Sequence, residues 1–104
     1  MQNEINRIQA LYREWLQLQE KLQREQKDWQ RANQIMHELN AFYFDGQFQE
    51  FYEKMEQGAD VDLRTEGEYS VMSEDTLWNA FHEHQQLAWA RLRGAIDVLD
   101  KQDE

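Results

Sequence analysis

The sequence predicts an all-α protein: a long antiparallel helical hairpin of coiled-coil character, with a short third helix and an acidic loop between the long helices. Two observations carry this reading. Apolar residues recur every seven positions along two long stretches, the signature of a helix with one buried seam. Proline is absent and glycine occurs four times, so the helices are interrupted at only a few marked points. With 104 residues, the chain is expected to form one domain spanning 1–104.

The first helix is placed at 2–43. Met1, Ile8, Trp15, Leu22, Trp29, Met36 and Tyr43 are spaced by seven; Leu11, Leu18, Ala32 and Leu39 follow three places behind, interrupted by Glu25. At 1.5 Å per residue this helix is about 60 Å long. Its outer face carries glutamine and mixed charge, with i,i+4 pairs such as Glu20–Arg24, while Gln19, Gln26 and Asn33 lie beside the seam. Asp45-Gly46 ends it, since glycine accepts the left-handed conformation used at helix termini.

Phe48, Phe51, Tyr52 and Met55 follow at i, i+3, i+4, i+7, which predicts a short amphipathic helix over 47–57, closed by Gly58. Residues 58–73 keep no period, contain Gly67, and read as the loop. Ser73 followed by Glu74 and Asp75 is a serine cap with two acids in the first turn, so the last helix is placed at 74–100. Its seam runs through Trp78, Phe81, Gln85, Ala88, Leu92, Ala95 and Leu99, flanked by Trp89 and Ile96. The long helices match when paired residue numbers sum to about 104. Ile5 then meets Leu99, Ile8 meets Ile96, Tyr12 meets Leu92, Trp15 meets Trp89, Gln19 meets Gln85, and Trp29 falls near Trp78. Heptads match heptads in several registers, so this pairing is one of a set.

The stretch from Leu39 to Leu92 holds an aromatic cluster, Phe42-Tyr43-Phe44, then the short aromatic helix, the acidic loop, and Ser-Val-Met-Ser-Glu-Asp-Thr-Leu-Trp-Asn at 70–79. In these features the chain resembles the bacterial domain of unknown function 4298. Members of that family have a long N-terminal helix, a tyrosine-rich turn and a hallmark like Gly-Val-Leu-Ser-Glu-Asp before the last helix. Val71, Ser73, Glu74 and Asp75 match the hallmark, whereas Ser70 stands where glycine is usual and Met72 where leucine is usual. The resemblance implies a fold and a bacterial or phage origin. It implies no reaction, because the family has no established activity.

The net charge of −10 is unevenly placed. Residues 1–44 carry six charges of each sign, and residues 77–104 carry five acidic and three basic side chains. Residues 45–76 hold ten acidic and two basic residues, for −8. A solvated acidic surface there disfavours direct binding to nucleic acid or anionic lipid. Cysteine is absent, which excludes disulfides, thiolate metal sites and cysteine nucleophiles. No apolar run reaches the ~18 residues that span a bilayer, and the N-terminus has no secretion-signal pattern, so the protein is expected to be cytoplasmic.

No catalytic, metal or cofactor site is read from the residues. Glu74 and Asp75 are adjacent on a helix and point about 100° apart, so they serve as a cap rather than converge on one reacting bond. His82 and His84 are two apart and face different sides, so they do not share a metal as an i,i+4 pair would; His37 on the first helix can approach the start of the last, but three scattered histidines are more often surface or half-buried side chains. Asp60-Val61-Asp62 opens like a calcium loop, but Arg64 takes the next ligand position and Gly67 falls two places late. Neither a glycine-rich phosphate loop nor a serine–histidine–acid arrangement is present.

The expected function is therefore non-catalytic: a protein–protein interaction module that binds a protein partner or forms a homodimer. The short helix can cover only one end of the hairpin, which leaves Leu11, Trp15, Leu18, Trp89, Leu92 and Ile96 as the interaction residues. Tryptophans at seam positions more often fill a core than line a ligand pocket. The alternative is an acidic inhibitor that mimics nucleic acid and blocks a basic cleft, with Glu50, Glu53, Glu56, Asp60 and Asp62 as its acidic face.

Overall fold

Helix breakers occur at few positions, and the backbone follows them. The computed structural model describes residues 1–102, and among these there are three helices and no strand. Helix α1 runs Gln2–Phe44, α2 Gln47–Glu56 and α3 Thr76–Gln102. At 43, 10 and 27 residues, they are about 64, 15 and 40 Å long. Packing divides the chain into two units, Met1–Ile35 and the part from Met36 onward. The first is helix alone. The second holds the end of α1, α2, the loop and α3, and with them the core.

Two glycines set the path of the second unit. Gly46 has φ 102°, and its carbonyl accepts the Glu50 N–H at 2.9 Å, so one left-handed residue both stops α1 and starts α2. Gly58, at φ 97°, closes α2 in a Schellman motif. The Ala59 N–H donates to the Lys54 carbonyl at 2.9 Å and the Gly58 N–H to the Met55 carbonyl at 3.1 Å. Both bonds satisfy carbonyls that the end of a helix would otherwise orphan.

The core between these turns is aromatic. Phe42 meets Phe48 and Phe51 at ring-centroid separations of 6.1 and 6.0 Å. Tyr43 meets Phe48 at 5.0 Å and Phe81 at 5.5 Å, and Phe44 meets Phe81 at 5.6 Å. Three helices thus converge on one cluster of rings, each edge or tilted contact contributing about 0.5–1.5 kcal/mol beyond its burial. Leu77 at the start of α3 is the one fully enclosed apolar side chain among the described residues, at 3% exposure.

Three details depart from the sequence reading. Helix α3 begins at Thr76, and the Asp75 carbonyl accepts the Asn79 N–H at 2.9 Å, so Asp75 rather than Ser73 stands where a cap would. The hydroxyl that acts in this turn belongs to Ser70, which accepts the Met72 N–H at 3.1 Å while its carbonyl takes the Ser73 N–H. Next, the inner face of α3 follows Leu77, Phe81, His84 and Ala88, at i, i+4, i+7, i+11, instead of a seam through Trp78 and Gln85. Trp78 is turned outward, 47% exposed, with its ring 4.8 Å from His82. Last, Tyr43 and Phe44 meet Phe81 at residue numbers summing to 124 and 125, not 104. A periodic seam does not by itself fix which residues meet at this end.

Alanine at the two glycine classes should act in opposite directions. A Cβ at Gly58 meets open space, so Gly58→Ala costs only its left-handed conformation, about 1–2 kcal/mol. Gly94 lies inside α3 with equally open space around it, and Gly94→Ala should stabilise by about 0.5–1 kcal/mol. Thermal unfolding followed at 222 nm checks both signs.

Candidate interaction surfaces

The N-terminal length of α1 presents its apolar seam to solvent. Ile5, Ile8, Leu11, Tyr12, Trp15, Leu18 and Leu22 are spaced by three and four residues and are each 46–53% exposed. A helix buries roughly half of a side chain against its own turns, so values near one half describe a face with nothing laid across it. On α3, Trp89, Leu92, Ile96 and Leu99 form a second stripe of the same spacing; Trp89 is 51% exposed, and the Arg93 guanidinium lies 5.8 Å from its ring centroid. The six residues expected to carry interaction, Leu11, Trp15, Leu18, Trp89, Leu92 and Ile96, are therefore all solvent-facing. Apolar stripes of this length mark interfaces more often than free surface.

The second unit adds a smaller feature that periodicity did not point to. Phe51 and Met55 of α2 face Ala59, Val61, Leu63 and Met72 of the loop around an apolar cleft of about 270 Å³. Val61 and Leu63 alternate with Asp60, Asp62 and Arg64, and that local alternation was the available signal.

Part of the acidic surface is paired within the chain. Glu50 is held by Lys54 at 3.0 Å and Glu53 accepts from Gln49 at 3.2 Å. Asp62 takes the Arg64 backbone N–H at 2.9 Å and its guanidinium at 3.1 Å through both carboxylate oxygens. The guanidinium first, and the N–H second, hold the Asp62 carboxyl below the usual carboxylate range. Asp60 and Asp62 share a broad open depression of about 780 Å³ with Arg64, Ser70 and Ser73, whereas Glu50, Glu53 and Glu56 lie on α2. Glu74 and Asp75 sit in the turn before α3. Among the described residues no three histidine or acidic side chains gather as metal ligands would, and no helix is long and apolar enough to cross a membrane.

The Asp62–Arg64 clip has a sign that titration can read. A depressed carboxyl pKa favours the folded loop above the ordinary aspartate pKa, and the contribution is lost as pH falls through the lowered value. Carboxyl-carbon NMR should give Asp62 a midpoint below that of a free aspartate, and Arg64→Ala should return it to the ordinary range.

No curated protein and no solved structure matches the chain. A family model does, and it covers both the N-terminal seam and the Ser-Val-Met-Ser-Glu-Asp hallmark. Matched over residues 5–94, the chain belongs to the family described as Domain of unknown function (DUF4298).

Proposed function

We propose that this protein is a non-catalytic interaction module whose apolar helix stripes dock another protein chain. The supporting observation is the exposure of Leu11, Trp15 and Leu18 on α1 and of Trp89, Leu92 and Ile96 on α3. Full burial of each such side chain is worth about 1.5–3 kcal/mol, and roughly half of that is forgone while the stripe faces water. Across six residues this is comparable with the ~5–15 kcal/mol that separates folded from unfolded domains. A cover over the stripes recovers it.

The nucleic-acid-mimic reading has less support. Mimicry needs carboxylates free to meet lysine and arginine, and here Glu50 and Asp62 are engaged by Lys54 and Arg64 of the same chain. The two readings respond differently to salt. Apolar docking hardly changes with ionic strength, whereas a complex built on carboxylates weakens steeply.

A photo-crosslinking residue at position 15, introduced in cells of the source, tests the docking face directly. It should yield a crosslinked protein product at both low and high salt, and the product should disappear in the Leu11→Glu, Leu18→Glu variant. Absence of any product from position 15, or a product indifferent to that variant, would remove the proposal. A crosslink that survives only at low salt would move the assignment to the acidic face.

A further inference from the structure

Resting on the reading of the α1 stripe as a docking face, we infer that its occupant is a second copy of this chain, with the two N-terminal halves of α1 paired antiparallel about a two-fold axis between residues 16 and 17. The argument comes from the charges that flank the seam. Arg7, Glu14, Lys21 and Asp28 recur every seven residues along one edge of the apolar face, all exposed, and their signs alternate. In an antiparallel pair of helices, this edge of one chain runs beside the same edge of the other.

One register satisfies every flanking charge. When seam residues stack with numbers summing to 33, Trp15 packs on Leu18 of the second copy and Leu22 on Leu11 of the second copy. The flanking edge then places Arg7 beside Asp28 and Glu14 beside Lys21, each twice by symmetry, so all four contacts are between opposite charges. A slip of one heptad toward the N-terminus sets Glu14 against Glu14 and Arg7 against Lys21. A slip the other way sets Lys21 against Lys21 and Glu14 against Asp28. A parallel, in-register pair stacks Glu25 on Glu25 inside the seam, where the sum of 33 sets it against Ile8, and gives the flanking charges only neutral neighbours such as Tyr12 and Gln19. Alternating signs therefore act as the register device that the apolar heptads lack. Arg7 also holds Glu4 at 2.7 Å, an exposed contact that leaves its remaining donors for Asp28 of the second copy.

The chain has no cysteine, so single cysteines can carry spin labels at Asn6, Arg13, Glu20 and Lys27, all on the side of α1 away from the seam. Across the inferred dimer, labels at 6 and at 27 are each offset about 32 Å along the helix axis, and labels at 13 and at 20 about 10 Å. Pulsed dipolar spectroscopy should give a matched long pair and a matched short pair. Four equal distances would mean a parallel dimer and overturn the inference. Glu14→Lys or Lys21→Glu alone should weaken dimerisation roughly tenfold, with the two together restoring it. Failure of that rescue, with helicity intact, would also overturn the register. A chain that stays monomeric to millimolar concentration excludes the second copy. If residue 15 of that monomer still crosslinks to a foreign protein, the docking face stands and only its occupant changes.

Discussion

Everything in the second unit depends on the ring contacts between Tyr43, Phe44, Phe48 and Phe81. Leu77 is the one fully enclosed side chain among the described residues, so this fold has no deep aliphatic core on which to draw. Rings compensate because each brings a large contact area and fixes geometry through its edge-to-face preference. Gly46 makes the cluster possible by turning the chain within one residue, which brings Phe42 and Tyr43 of α1 against Phe48 of α2. The hallmark preceding α3 acts on the same cluster from the other side. Its turn, built on Ser70, leads into α3, where Leu77 is enclosed and Phe81 meets the rings.

The number and order of helices were legible because each boundary has a local chemical cause: glycine at 46 and 58, an acidic turn before α3, and a seven-residue apolar period elsewhere. Facing and register were less so. Trp78 is the largest apolar residue near the start of α3, and the seam drawn through it shares Phe81 and Ala88 with the inner face but takes Trp78 and Gln85 where Leu77 and His84 turn inward, a rotation of about 50°. Size alone cannot tell a core tryptophan from one that stacks on a surface histidine. The meeting point of α1 and α3 was hard to place for a related reason: a period repeats, and only an aperiodic contact such as Tyr43 to Phe81 fixes which residues meet at this end.

The interaction residues were legible as apolar positions, while their solvent exposure was an argument from counting helices. Leu11, Trp15 and Leu18 on α1 are 46–50% exposed, and their counterparts Trp89, Leu92 and Ile96 on α3 are 44–51% exposed. The acidic segment was legible as charge but not as chemistry. Its pairing within the chain, Glu50 with Lys54 and Asp62 with Arg64, depends on spacing and loop shape that net charge does not encode.

The contrast between the half-exposed N-terminal length of α1 and the ring-clustered unit has a thermodynamic consequence. The apolar side chains of α1 from Ile5 to Leu22 are about half exposed, and a helical length so lightly covered melts gradually from its end over a broad temperature range. The second unit, whose contacts depend on one another, unfolds in a narrower and more cooperative step. Helicity at 222 nm and tryptophan emission from Trp15 and Trp78 then report different transitions.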